Sequence, residues 1–328
     1  MRPLLGAAAA LALAAGLAGC TMSIPVARPT PSGLSYSGPR TPPVTLKVVD
    51  ARAGEELTFH VLTAGLSGST VRLDGMDAPV TVLADNLAAE LEGRGYPVKV
   101  LTDPAASADV ELRVTRYRIV SRQIPGFGPW EAMHQFRATL VAGPRQRTIH
   151  AYFFNSKRPL TGARDLRQPC FDLPQSILVK EIASKVNRAA LGFQAGEATV
   201  DELVRRARSK EEAEGGPWLE LVELGGTDNP GAMEALKRYT GHRDELVRAV
   251  AYDAIGMLGP ERELPFLEGR FGSRTLETRE LVMALKAIGD AGDAGDTEAA
   301  DLVRLQTSHE DYDDEAGLRY LVDLYSGR

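Results

Sequence analysis

Hydrophobic positions change their spacing repeatedly along this chain, and each spacing predicts a different kind of segment. Residues 3–17 are a continuous apolar run rich in Ala and Leu, preceded by a single charge at Arg2. A helix that spans a bilayer takes about 20 apolar residues, so this shorter run reads as the core of a signal segment. Between Thr21 and Pro43 no period survives, and prolines at 25, 29, 31, 39, 42 and 43 alternate with Ser, Thr and Gly. That composition predicts a disordered, partly polyproline tether, with a reach of roughly 70 Å at about 3.1 Å per residue.

From Val44 to Leu191 the period alternates between two and 3.6. Val44 to Val49, Leu57 to Leu62, Thr70 to Leu73 and Val98 to Thr102 read as strands. Val110, Leu112 and Val114 alternate with Glu111, Arg113 and Thr115, which predicts a half-buried strand continuing to about Val120. Strands around Phe136 to Leu140 and Ile149 to Phe153 follow, divided by Gly143-Pro144. Leu83, Leu87 and Leu91 repeat every four residues within Thr81 to Arg94, a helix with Gly95 as its stop. Pro174 opens a second helix lined by Leu178, Ile182 and Val186. Strands, helix, strands, helix argue for an α+β unit: a mostly antiparallel sheet with its helices on one face.

Beyond Gly192 the pattern is helical. Thr199-Val200-Asp201-Glu202 reads as a capping box opening the first helix. Leu221-Val222-Glu223-Leu224-Gly225, Tyr252-Asp253-Ala254-Ile255-Gly256 and Leu285-Lys286-Ala287-Ile288-Gly289 then recur with their glycines 31 and 33 residues apart. Second helices fall near Ala232 to Tyr239, Glu263 to Phe271 and Glu298 to Leu305, and a last one at about Glu315 to Tyr325 closes the series. A helix pair per period, with small residues where helices cross, predicts an all-α solenoid.

Three resemblances attach to these patterns. Leu17-Ala18-Gly19-Cys20 resembles the lipobox of bacterial lipoproteins, which implies cleavage before Cys20, a diacylglycerol on its sulfur and an acylated (palmitate-type) amino terminus. Thr21 stands where an aspartate would favour the inner membrane, so the resemblance implies the periplasmic face of the outer membrane. Residues 17 to 191 resemble the YajG-like outer-membrane lipoproteins. The shared features are the strand leading to Asp50-Ala51-Arg52, the helix ending in Leu91-Glu92-Gly93-Arg94-Gly95-Tyr96, the strand Val110 to Val114 and the closing helix. Asp244-Glu245-Leu246-Val247-Arg248-Ala249-Val250-Ala251, followed by Ala254-Ile255-Gly256, resembles HEAT-like repeats. The expected organisation is a signal peptide over 1–19, a Pro-rich tether over 20–43, an α+β YajG-like domain over 44–192 and a HEAT-like domain over 193–328.

Composition adds a charge asymmetry. The 328 residues carry a formal charge of −6. Residues 21 to 192 hold 21 basic against 15 acidic side chains, a net of +6, and residues 193 to 328 hold 16 against 29, a net of −13. Such halves could dock on anionic lipid, dock on each other, or hold the acidic half away from the membrane. With Cys20 used by the anchor, Cys170 has no disulfide partner and reads as a buried small hydrophobe.

Candidate chemistry is sparse. His60, His134, His150, His242 and His309 form no metal-ligand spacing. Gly65-Leu66-Ser67-Gly68-Ser69 misses the nucleophile-elbow pattern by one residue. Asp290, Asp293 and Asp296 are spaced by three, unlike a calcium loop, and read as an interhelical turn. No cofactor, metal, catalytic residue or nucleic-acid partner is expected. The loop Ile124 to Trp130 offers Phe127 and Trp130 as an apolar wedge, and Arg116 and Arg118 belong to a basic cluster that could meet anionic lipid heads. The expectation is a non-enzymatic, lipid-anchored periplasmic adaptor that binds another envelope protein through its helical repeats; the alternative is lipid or glycan binding by the basic N-terminal domain.

Overall fold

The computed structural model describes residues 21–34, 43–64, 70–103, 105–124, 128–158, 164–213, 216–273, 275–308, 312 and 315–327. Cys20 and the run before it, the segment 65–69, Phe127 and His309 lie outside the described residues. Eight strands are present among those described: β1 (Thr21–Pro25), β2 (Val44–Asp50), β3 (His60–Ala64), β4 (Thr70–Asp74), β5 (Val98–Val100), β6 (Val110–Gln123), β7 (Trp130–Ala142) and β8 (Arg145–Lys157). Helices α1 (Pro79–Gly93) and α2 (Leu173–Val186) belong with them.

The alternation in β6 has the predicted consequence: Val110, Leu112 and Val114 are buried. A bulge between Val114 and Arg116 then shifts the phase by one, so that Tyr117 and Ile119 continue the same buried face. Strands β6, β7 and β8 form a long antiparallel meander, with Gly143 at a φ of +57° in the second turn. The rest of the sheet is parallel, because β2 pairs with both β5 and β6, and β3 extends β2's line along β6. The order is β5-β2-β6-β7-β8. The sheet is therefore mixed rather than mostly antiparallel. The chain between β2 and β5 contains α1, and a helical crossover returns a strand parallel to the one it left.

Leu83, Leu87 and Leu91 of α1 are at most 1% exposed. Burial of this size is worth roughly 1.5–3 kcal/mol per leucine. Together with Leu178, Ile182 and Val186 of α2 they cover one sheet face. The N-terminal segment departs from the expected free tether. β1 pairs in parallel with β4, and Ile24 and Leu34 are buried. Ser32 donates its backbone N–H to Glu90 at 2.9 Å, and Thr30 accepts from Lys180 at 2.9 Å. Two apolar residues and a set of backbone polar groups are enough to fasten a proline-rich strand that composition alone reads as unattached.

The second half is helical throughout: α3 (Glu197–Ser209), α4 (Trp218–Gly225), α5 (Met233–Tyr239), α6 (Glu245–Leu258), α7 (Leu264–Gly272), α8 (Thr278–Asp293), α9 (Thr297–Leu305) and α10 (Ala316–Ser326). α3 begins at Glu197 with Gly196 as its N-cap, so Thr199 lies inside the first turn and no capping box forms; Glu202 pairs with Arg205 instead. Asp244 and Asp296 cap α6 and α8's successor α9 through their carboxylates. Helices α4, α6, α8 and α10 stack as an inner row, and α3, α5, α7 and α9 pack outside it.

The inner row does not project away from the sheet. α4 and α6 pack on α2, α8 runs along β8, and α10 lies against β7 and β8. Met133 and Tyr152 share one core with Leu321, Val282 and Ile255. Helices thus cover both faces of the sheet, not one.

The repeat glycines make this stacking possible. A Cβ on Gly225 would lie 2.8 Å from Cα of Ala254, and one on Gly289 would lie 2.6 Å from the Tyr325 ring. A Cβ on Gly256 would run into the Asp290 carboxylate and lie 3.2 Å from Cα of Ala287. Each glycine admits the next inner helix. Gly256→Ala is expected to lower stability by about 1–3 kcal/mol, the usual cost of overpacking. Gly269→Ala, with no atom within 4 Å of the new methyl, should raise it by about 0.5–1 kcal/mol through helix propensity. Chemical denaturation of the two variants measures both signs.

Candidate functional site

The seam between the two halves is built on α2. All its residues except Ser176 are buried, including Lys180, Glu181 and Lys185. A helix buried all round is ordinarily apolar, so each of these charges needs partners inside the protein.

Lys180 and its neighbours form the first cluster. The Lys180 ammonium donates to Thr30 O, Ser32 Oγ and Glu90 at 2.9, 2.9 and 3.1 Å. Arg94, fully buried, pairs with Glu90 at 2.8 Å and donates to Ser184 Oγ, Lys180 O and Gly226 O. Burial pushes the Glu90 carboxyl up, but Arg94, Lys180 and Ser32 outweigh it and hold it below its ordinary value. The N-terminal segment, α1, α2 and α4 are joined at this point.

The second cluster joins α2 to α6, α8 and α10. Lys286 lies 2.5 Å from Glu181, 2.6 Å from Asp253 and 3.0 Å from Asp290, and Lys185 lies 2.7 Å from Glu181 and 2.5 Å from Asp290. Tyr325 donates its hydroxyl to Asp290 at 2.5 Å. Three carboxylates thus face two ammonium groups. Burial pushes Glu181 up to about 7 against the pull of Lys185 and Lys286, and burial likewise raises Asp253. For Asp290 burial is outweighed by Lys185, Lys286 and the Tyr325 hydroxyl, which hold it at about 2. Lys286 is raised because its three carboxylates outweigh its burial.

This cluster continues onto the edge of the sheet. β8 is the last strand in the order, and an edge strand offers unpaired backbone groups. At His150 both are filled by charged side chains. The backbone N–H donates to Asp293 at 2.9 Å, and the carbonyl accepts from Lys185. The His150 ring shares the same Asp293 carboxylate through Nδ1 at 2.7 Å and stacks at 4.5 Å on the Tyr325 ring.

Beside this contact a cleft of about 530 Å³ opens between the sheet and the last helices. Its floor is Thr115, Arg137, Thr139, Thr148 and His150 from β6, β7 and β8. Arg137 is the cross-strand partner of His150, and Thr139 of Thr148, so these four side chains share one face. The roof combines Gly289, Gly292, Ala300 and Gly327 with the larger Val303 and Tyr325, and Arg304 stands at one side. Among the described residues no hydroxyl or thiol is hydrogen-bonded to the His150 ring. The cleft presents hydroxyls and a guanidinium to whatever enters it.

The residues singled out as interaction candidates are not gathered here. Trp130 is 5% exposed and belongs to the core under α2, which removes it from an apolar wedge; Phe127 is outside the described residues. Arg116 is buried and pairs with Glu56 at 2.7 Å. Arg118 donates to Gln135 at 3.0 Å and lies 3.8 Å from Glu56. Neither arginine belongs to an open basic face, because the bulge turns β6 so that both meet protein partners. Asp290, Asp293 and Asp296 have separate partners: the lysines, His150 and the Ala299 amide. Asp290 and Asp293 lie within α8 rather than in a turn. His134 contacts Cys170 O at 2.8 Å on the opposite sheet face from His150, and burial lowers it to about 4. Cys170 is buried, and burial pushes its thiol up to about 12.

The residues that matter most at the seam were missed. Glu181/Lys185 and Lys286/Asp290 are i, i+4 pairs, which sequence reasoning places on solvated helix faces. A signal did exist, since Asp253 and Lys286 each stand three residues before a repeat glycine. Equivalent positions in stacked repeats face each other, and these two are 2.6 Å apart.

A family model for HEAT repeats matches residues 221–286, from α4 into α8, so the second half contains HEAT-like repeats. No curated protein matches the chain. Among solved structures, the crystal structure of an uncharacterized protein is similar at 13% identity with a TM-score of 0.25, covering 52% of this chain and 97% of its own. No helix among the described residues is long and apolar enough to cross a membrane.

Lys286→Met leaves Glu181, Asp253 and Asp290 facing Lys185 alone, and an uncompensated buried charge costs about 3–5 kcal/mol; urea unfolding at pH 7 should show a loss of that order. The pH response has two signs. Glu181 is raised from 4.5 to about 7, so the folded chain holds a proton that the unfolded chain releases, and this group's contribution falls as pH rises through that window. Asp290 is lowered from 3.8 to about 2, so its contribution is present above 3.8 and is lost on acidification. Glu181→Gln lacks the first response, and between pH 4.5 and 7 its stability relative to wild type should improve by on the order of 3 kcal/mol.

Proposed function

We propose that this chain is a lipid-anchored envelope protein that works as a protein-interaction scaffold. Cys20 would carry the anchor, as its lipobox-like setting implies, with the outer membrane's periplasmic face as the site of residence. The first half is read as a YajG-like domain and the second as the arm that meets another envelope protein.

One observation carries the choice of surface. The inner helix row is occupied by the chain's own α2 and β8, so a partner must use the outer row or the helix ends. That row displays Glu234 and Asp301 at 84% and 68% side-chain exposure, and Leu305 is 69% exposed at the end of α9. An exposed leucine one helical turn from Asp301 suits a partner with a basic rim around an apolar contact. The net of −13 in this half favours encounter with such a partner. The basic N-terminal domain is the weaker candidate, because Arg116 and Arg118 are engaged internally.

Crosslinking in intact cells, followed by mass spectrometry, tests the reading. Wild type should capture a specific envelope protein that is lost in a Glu234→Lys/Asp301→Lys/Leu305→Ser variant and reduced in Cys20→Ser. Identical partner sets for wild type and the outer-row variant would overturn it.

A further inference from the structure

The cleft beside His150 has features that neither the repeat stacking nor the outer-row contact uses. Arg137 lies half-buried on its floor and donates only Nε, to Thr115 Oγ1 at 3.2 Å. Among the described residues its terminal nitrogens have no acceptor. Among the described residues the one carboxylate lining the cleft, Asp293, is engaged twice by His150. Arg304, at the side, is paired with Asp301 at 2.7 Å.

We propose that this cleft is a binding site for a small solute carrying an oxyanion, phosphate or carboxylate, with the anionic group held by Arg137. A guanidinium presents a planar pair of N–H groups that match two oxygens of such a group. Thr139 and Thr148 stand side by side next to it, and their hydroxyls can donate to the same oxyanion or accept from hydroxyls on the rest of the solute. Gly327 keeps the approach to Arg137 open, since a Cβ there would lie 3.6 Å from Arg137 Nη1. At about 530 Å³ the cleft falls in the range of small-molecule sites.

Burial lowers the Arg137 pKa, reinforced by the nearby Arg116 charge and opposed by Glu56. A partly desolvated cation whose terminal nitrogens have no acceptor among the described residues is where a bound anion stabilises the protein most. Thr148 is exposed, so its replacement leaves the fold intact and reads binding alone.

Isothermal titration calorimetry on the full chain tests the site, with inorganic phosphate, glycerol phosphate and succinate as probes and chloride at matched ionic strength as the reference. Saturable one-to-one binding of at least one oxyanion is expected, weakened about tenfold or more in Arg137→Gln, less in Arg137→Lys, and severalfold in Thr148→Val. Binding by the two phosphates alone assigns a phosphate ligand, and binding by succinate alone assigns a carboxylate. Absence of binding above chloride, or equal affinity in wild type and Arg137→Gln, would overturn the proposal. If Arg137→Gln does not fold, unchanged affinity in Thr148→Val overturns it instead.

Discussion

Five charged groups buried at the face of one helix constrain everything else in this molecule. Glu181 and Lys185 leave α2 toward the repeats, and Asp253, Lys286 and Asp290 leave the repeats toward α2. Neither set is satisfied alone. Without the helical half, α2 would hold two charges and a run of apolar residues toward nothing; without α2, the inner helices would enclose two carboxylates and one ammonium group. Interactions of this kind add little net stability compared with a well-packed apolar core, but they penalise every arrangement in which partners are missing. They fix the register of the repeats on the sheet.

Two different surfaces follow from this register. Because the inner row is closed over α2 and β8, the repeat array is a rigid block with its outer helices facing solvent. A solenoid free at its inner face can flex around a partner, whereas this one carries its occupant covalently. The cleft lies where that fit is incomplete, between the sheet and the last three helices, and its walls come from both halves. A solute bound there would touch β7 and β8 below and α8 to α10 above, so its presence favours the docked arrangement of the halves.

Local patterning made the elements legible and left their assembly obscure. The leucines of α1, the alternation in β6 and the repeat glycines each report a short-range period, and each marks the element it predicts. Parallel pairing of β2 with β5 and β6 depends on a crossover whose geometry no local period encodes. The attachment of the segment from Thr21 to Leu34 is hidden because composition measures how much core a segment could build, while attachment depends on a core already made by others. The internal partners of Arg116 and Arg118 and the burial of Trp130 are hidden for a related reason: a one-residue bulge and a hairpin register decide which side of a strand meets solvent, and neither has a marker in the residue types. The seam charges were hidden because an i, i+4 pair looks the same in sequence whether water or another helix lies beyond it.

The capping of His150 carries a consequence in time rather than in energy. The carboxylate that takes up its backbone N–H is 143 residues further along the chain. In a chain delivered amino terminus first, the strands are all present before that carboxylate arrives. During that interval the completed sheet has an open margin with a free donor at its centre, and any extended peptide nearby can pair with it. Fusing the repeats to the sheet ties that margin to its own cover, delivered last and in the same molecule.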